Sequence, residues 1–541
     1  MKERDLKELF EKGKYQEVLE QLTRKAELDK APLNRQIEQQ YYKSRALEAL
    51  GEFDKALSVA KNARAELSPT VGKLPTFSLL VAELYALMRL GLLDEGLAAS
   101  KEGEQLIEAF TDVEKEHGKD RVALYYNVKG QIYWQKGTLD TALENFQESL
   151  ALSEKAGNQM LIAMVLNNIG NIYRNKGRLD TALDYFHRSL TLRKETENPG
   201  DIGTSLNNIA LIYHDKGLLD TALEYYQQSL AQAEMTGNPL FISVSLNNIG
   251  NIYHDKGMLD TALGYLQRSL ELLEEIGNTA YVSTLLVGIG EIYRDKSMLD
   301  TALNYLQRAL LLNEQVGNDL LTSYTLFQLF LLSLNQEHQE RARQYQSRLE
   351  KLQTDTPEKI IQLRNRVARV LLLKQGERLR DKSQAQDLLA ELAREEIIDY
   401  ELTVLILTHL CELQLEELKH YNGSEVFAEA KDTINKLYTL AQDQKSFSLL
   451  VTALLLRMKF ALISGDLPRA LKYLDQARIT AAEKNLGTLI EKVDLEKKKL
   501  EEELVKWEEL LSQNATLQER LQQARVEDYL IEARKMVRSS K

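Results

Sequence analysis

Three pairs of asparagines and one pair of histidines recur at a fixed spacing. They are the first residues in this chain whose types suggest chemistry. Asn167 and Asn168, Asn207 and Asn208, and Asn247 and Asn248 are adjacent pairs set 40 residues apart, and Asn171 and Asn251 follow two of them. A carboxamide carries both a donor pair and an acceptor. A row of them suits an extended peptide, whose backbone offers N–H and C=O groups in alternation. The same row also suits bonding to itself or to the preceding loop, as an inter-repeat ladder with no ligand. Both readings stand at the level of sequence. His214 and His254 occupy equivalent places, each followed by an aspartate, Asp215 and Asp255. Two imidazoles on stacked helices about 8–10 Å apart suggest a metal, but a site needs three or four convergent ligands. The next copy has Arg294 in that place. Copying of a repeat accounts for the pair equally well, and no metal or other cofactor is expected. His409 and Cys411 stand two apart, which puts them on different faces of a helix. No phosphate-cradling Gly-Lys-Ser/Thr loop, dinucleotide fingerprint, His-Glu-x-x-His or nucleophile elbow occurs. No catalytic residue is assigned, and an enzyme is not expected.

The elements that must position these residues are written in the same period. Gly130, Gly170, Ala210, Gly250 and Gly290 fall in steps of 40, as do Tyr133, Tyr173, Tyr213, Tyr253 and Tyr293. Leu-Asp-Thr recurs at Leu139, Leu179, Leu219, Leu259 and Leu299, three residues before Ala142, Ala182, Ala222, Ala262 and Ala302. A fixed period of about 20–50 residues marks a solenoid, in which each unit buries its apolar face only against its neighbours. In one copy Leu166, Ile169, Ile172 and Tyr173 have helical spacing. Gly177 then offers a left-handed stop, and Leu179, Leu183, Phe186 and Leu190 start a second amphipathic helix with Asp180 as its expected N-cap. Gly170 and Ala182 are small where the two helices cross. Gly157, Gly237, Gly277 and Gly317, each before an asparagine, punctuate the junctions.

Small residues at 170 and 182, an aromatic three places after Gly170, and Phe186 or Tyr226 in the second helix resemble the tetratricopeptide repeat (TPR), commonly about 34 residues long. The longer period, with Asn-Asn-Ile-Gly-Asn-Ile-Tyr at Asn167–Tyr173 and Asn247–Tyr253, is more similar to the repeats of kinesin light chain and the LGN spindle-orientation adaptors. The resemblance spans roughly 121–320. It implies an all-α, right-handed TPR α-solenoid of about twelve antiparallel helix pairs, ending in capping or coiled-coil helices. First helices line the concave surface in that family. The resemblance therefore puts Asn167, Asn168, Asn171 and Arg174 in or beside a peptide-binding groove, followed by Asn207, Asn208 and His214, and then by Asn247, Asn248, Asn251 and His254. The implied function is a non-enzymatic scaffold or adaptor that binds a linear peptide segment of a protein partner. Two alternatives remain: a peptide-responsive sensor whose C-terminal helices transmit a change in superhelix, and a structural oligomerising spacer.

Composition sets bounds on these readings. The chain has 541 residues, 44% hydrophobic and 28% charged, with seven prolines, one cysteine and a net charge of −12. Few prolines suit long helices, and a single cysteine excludes an intramolecular disulfide framework and structural cysteine–zinc clusters. The acidic balance argues against general nucleic-acid binding. The opening Met1-Lys-Glu-Arg-Asp-Leu lacks a signal-peptide core and no window reads as a membrane span, so no membrane partner and a cytoplasmic location are expected. Sequons at Asn422 and Asn514 then carry no weight. Lys136, Lys176, Lys216, Lys256 and Lys296 form a line before the turns, read as a mixed-charge rim.

Along the chain, residues 1–120 read as divergent N-terminal repeats, 121–320 as five regular ones and 321–356 as a degenerate one in which Glu337 replaces the turn glycine. Asp355-Thr-Pro357 is the clearest break; 357–485 read as divergent helical repeats continuing the solenoid, with a separate helical domain as the alternative, and 486–541 as a helical extension. Leu489, Val493, Leu500, Leu504, Trp507 and Leu511 approximate a short a/d seam. It would cap the last repeat or form a homodimer through 488–538. A last helix is expected at about 516–537, with a solvated basic tip of Arg534, Lys535, Arg538 and Lys541.

Overall fold

The computed structural model describes residues 3–24, 33–67, 71–196, 198–356, 358–376, 378–395, 397, 399–420, 423–444, 446–483, 487–513 and 515–535. The described residues form α-helices and no strand, and the chain divides into two compact units, Met1–Ile209 and Ala210–Lys541. Pro69, Pro357, both sequons, Arg538 and Lys541 lie outside the described residues.

In the first unit α1 (Glu3–Glu11) pairs with α2 (Tyr15–Arg24), α3 (Leu33–Ala49) with α4 (Phe53–Ala65), and α5 (Lys73–Arg89) with α6 (Leu93–Glu108). A short α7 (Asp112–His117), held by a Thr111–Glu114 capping box, precedes α8 (Lys119–Gln135) with α9 (Leu139–Ala156) and α10 (Gln159–Asn175) with α11 (Leu179–Thr196). The division falls within α12 (Pro199–Asp215), which is followed by α13 (Leu219–Thr236). The second unit continues with α14 (Pro239–Asp255) on α15 (Leu259–Glu275), α16 (Thr279–Asp295) on α17 (Leu299–Val316), and α18 (Asp319–Asn335) on α19 (Gln339–Asp355). Then come α20 (Lys359–Lys374) on α21 (Leu379–Leu392), α22 (Tyr400–His420) on α23 (Ser424–Asp443), and α24 (Phe447–Ile463) on α25 (Leu467–Glu483). That makes eleven packed pairs among the described residues, with α12 and α13 following one another at the division, close to the number of pairs that the resemblance implies. Three helices end the chain: α26 (Gly487–Ser512), α27 (Leu517–Ala524) and α28 (Val526–Lys535).

Local chemistry explains the pairing. Each first helix of the regular block ends in a Schellman turn: the Gly177 N–H donates to the Arg174 carbonyl and the Arg178 N–H to the Tyr173 carbonyl, at 2.9 and 2.8 Å. Gly177 sits at φ 69°, and Ser297 and Glu337 hold the same left-handed turn without glycine, at φ 59° and 58°. The second helix begins at Leu179, so Asp180 is inside its first turn and is not the N-cap. At the equivalent starts Thr138, Leu218, Met258 and Met298 make no side-chain cap bond. The caps belong instead to the junction asparagines. Asn158, Asn278 and Asn318 accept from the N–H three residues on, and Asn238 from the Leu240 N–H.

A Cβ at Gly170 would lie 2.6 Å from the Phe186 ring, and one at Gly250 2.7 Å from Leu266, so the crossing is closed to any side chain. Tyrosine pairs stack beside four of the five turns, as in Tyr173 on Tyr185 and Tyr253 on Tyr265, both with centroids 5.4 Å apart. Ser149, Ser189 and Ser269 on the second helices each donate to a first-helix carbonyl at 2.7–2.8 Å. No helix among the described residues is long and apolar enough to cross a membrane.

The C-terminal extension differs from expectation in two ways. The single helix expected at 516–537 is two helices, bent at Arg525, which takes φ 49°. Arg534 is not a solvated tip, since its side chain is 13% exposed and ion-paired to Glu412. The seam residues Leu489, Val493, Leu500 and Trp507 are buried within the chain's own core, among α24, α25 and the end helices.

Candidate functional site

The asparagines meet across repeats on a diagonal. Asn208 Nδ2 donates to Asn167 Oδ1 at 2.8 Å, and Asn168 Nδ2 donates to Asn127 Oδ1 at 2.8 Å. Asn127 donates in turn to the Tyr85 hydroxyl at 2.9 Å, so α5, α8 and α10 are tied by one polar chain. Asn167, Asn168 and Asn208 are buried, whereas Asn171, Arg174, Asn207, Asn247, Asn248 and Asn251 are half-buried. In the second unit Asn247 Nδ2 reaches Asn248 Oδ1 at 3.5 Å. Each of these bonds satisfies one donor and one acceptor out of the several that a carboxamide offers.

The histidines follow the same diagonal. His214 Nε2 lies 2.5 Å from Asp255 Oδ2, and His254 Nε2 lies 2.9 Å from Asp295 Oδ2. Each imidazole therefore holds the aspartate of the following repeat. Burial works against charge on His254, but the bond to Asp295 and the fields of Asp255, Asp295 and Glu291 hold its pKa above the ordinary value. Arg294, at the same place one repeat later, donates to Gln328 Oε1 at 2.8 Å. On the rim Lys136 and Lys256 pair with Asp94 and Asp220 of the preceding repeats at 2.6 and 2.5 Å, and Lys176 and Lys296 pair likewise with Asp140 and Asp260. The aspartate of Leu-Asp-Thr thus serves the next repeat's lysine.

Two further constellations draw on residues outside the regular block and were not assembled from the sequence. In the first unit a cavity of about 370 Å³ opens among α1, α3, α5, α8 and α10, lined by Tyr41, Tyr42, Arg45, Arg121, Met160 and Met164 among others. Arg45 lies 3.4 Å over the Tyr85 ring and Arg121 3.7 Å over Tyr41, in cation–π geometry. Arg121 is paired with Glu38 at 3.0 Å. Arg45 is buried, with Glu48 at 3.7 Å and no hydrogen-bond partner among the described residues for its Nε and Nη1.

In the second unit His409 Nδ1 lies 2.7 Å from Lys374 Nζ, 2.8 Å from Glu412 Oε2 and 3.2 Å from Arg534 Nη1. Arg534 Nη2 donates to Glu412 Oε1 at 2.5 Å, and Lys374 also pairs with Glu412. Burial pushes His409 down to about 4, with Lys374 and Arg534 adding to the effect against its bond to Glu412. Burial alone would raise Glu412, but hydrogen bonds from His409 and Arg534 hold it well below the usual carboxylate range. Cys411 is buried in the adjoining core, and burial raises its pKa.

The family profile described as a MalT-like TPR region matches residues 202–485, more than half of the 541 residues. The chain belongs to the MalT-like TPR family. A tetratricopeptide repeat profile also matches this TPR protein over 120–195 and 161–235. No curated protein matches it. Among solved structures the TPR chain is similar to a Rap protein complexed with Competence and Sporulation Factor, at 15% identity over 76% of this chain and 99% of that one, TM-score 0.49. It is also similar to the apo form of the quorum sensor NprR from B. thuringiensis, at 14% identity over 75% and 100%, TM-score 0.44. BtubC from P. vanneervenii matches at 16% identity over 46% and 93%, TM-score 0.34.

Proposed function

We propose that this TPR protein is a non-enzymatic scaffold whose first helices bind an extended segment of a protein partner. The observation that carries the reading is the cavity of the first unit. First helices of successive pairs bring two arginines, a tyrosine doublet and two methionines to one concavity of about 370 Å³. Such a mixture of apolar surface and a few placed polar groups is what a peptide side chain needs. Packing has already fixed these groups, so an incoming segment supplies most of the ordering cost. The half-buried Asn171, Arg174, Asn207, Asn247, Asn248, Asn251 and His254 are proposed as further backbone contacts. Buried Asn167, Asn168, Asn208 and His214 are proposed to hold that surface in register.

The test is affinity capture from the native cytosol with wild type and with an Asn171→Ala, Asn207→Ala, Asn247→Ala chain of unchanged circular dichroism. A partner retained by wild type and lost by the variant is expected. Identical partner sets from both would overturn the reading for these residues.

A further inference from the structure

α27 and α28 break the pairing rule of the rest of the chain. They turn back from α26 and pack against α22 and α24, the first helices of the last two pairs. The contact has the composition of a ligand interface. Val526, Tyr529, Leu530 and Ala533 recur at three- and four-residue spacing on α28 and are all buried. Arg534, next to the last of them, reaches Glu412 on α22 at 2.5 Å, where Lys374 and His409 also converge. It also lines a small pocket with Phe327 and Gln328 of α18 and Arg364 of α20. Polar ties edge the contact: Lys419 to Glu527 at 2.7 Å, Gln518 to the Lys419 carbonyl at 2.9 Å, and Lys492 to Glu532.

These helices have 8 and 10 residues and are joined through a non-glycine residue at φ 49°. Helices shorter than about 12–15 residues are marginal in water by themselves. Their order therefore comes from the surface they lie on, as it does for a peptide that folds on binding.

Building on the proposal that first helices bind partner segments, we infer that the side of α22 and α24 covered by α28, with Glu412 at its base, is a binding site for an amphipathic helix carrying an arginine beside its apolar face. α28 is the tethered occupant of that site. A partner helix of this chemistry enters by displacing α28, whose tether gives it an effective concentration in the millimolar range. The groove is thereby closed to weak ligands.

The test uses the full chain with Leu530→Ser and Arg534→Ala, which loosens α28, and a fluorescent peptide of residues 516–535. Anisotropy is expected to show the peptide binding the loosened chain at least about tenfold tighter than wild type. The same peptide carrying R534A should bind about tenfold more weakly, a loss of about 1.4 kcal/mol. A folded loosened chain that ignores the peptide, or equal binding to both chains, overturns the inference. Should the loosened chain fail to fold, a protease site replacing residues 513–515 of the otherwise wild-type chain allows cleavage after folding. The cut α27–α28 segment is then expected to stay bound and to exchange with labelled peptide. A segment that never exchanges is core, not occupant, and one that leaves without labelled peptide taking its place shows no site; both results count against the inference. Loss of the asparagine-dependent partner would leave the exchange unaffected, so the two proposals fail separately.

Discussion

His254 and His409 both sit on the first helix of a pair and both face a carboxylate at hydrogen-bond distance, Asp295 at 2.9 Å and Glu412 at 2.8 Å. Their surroundings push them in opposite directions. His254 is ringed by Asp255, Asp295 and Glu291, so its charged form is favoured. His409 shares its carboxylate with Lys374 and Arg534, and burial beside two cations drives it down to about 4. The first arrangement is one rung of a ladder that each repeat extends to the next. The second is built once, from three helices distant in sequence. Repeated rungs should therefore be individually expendable, whereas a single-use cluster should fail when one member is removed.

The largest effect is expected at that cluster. Glu412→Ala leaves Lys374 and Arg534 buried without their anion and should cost about 3–5 kcal/mol, read by urea unfolding. Next is the sign of the pH response. The folded pKa of His409 lies below its ordinary value of about 6.5. Its contribution is therefore complete above about 6.5 and lost as pH falls towards about 4. H409Q should remove about 3 kcal/mol of that acid sensitivity, measured as the difference between the two chains' stability–pH curves.

His254 has the opposite sign. Its folded pKa is raised, so its contribution is full below the unfolded value and is lost as pH rises through the folded one. Asp295→Asn should cost about 1 kcal/mol at pH 6 and little at pH 8, which thermal melts at the two values would show. A cost that does not change with pH would remove the distinction between the two histidines. The smallest effect belongs to the rim. Asp220 is 66% exposed in its pair with Lys256, and Lys256→Ala should shift stability by no more than about 0.5 kcal/mol.

The fold was legible because a repeat states the same constraint several times. Gly170 faces Phe186 just as Gly130 faces Phe146, and both spacings are visible in the letters. The helix starts were harder. Asp180 reads as a cap because aspartate is a good one, but its equivalents pair with lysines of the next repeat, a partner that only stacking reveals. For the candidate site, the diagonal offset of 41 residues from Asn127 to Asn168 was hidden by looking straight along the period. Arg45, Glu412 and Arg534 carried no periodic signal at all. Their meaning comes from contacts between distant segments, and in Arg534 from a helix that folds back across the chain.

Groove binding is tested most directly by site-specific photo-crosslinking in native cell lysate. A photoreactive residue is placed at Asn171 or Asn251 on first helices, or at exposed Gln147 or Gln267 on second helices, and the captured peptides are sequenced. One discrete partner segment is expected from the first-helix positions and none from the second-helix ones. A segment captured only from Gln147 or Gln267 would place binding on the opposite face and contradict it.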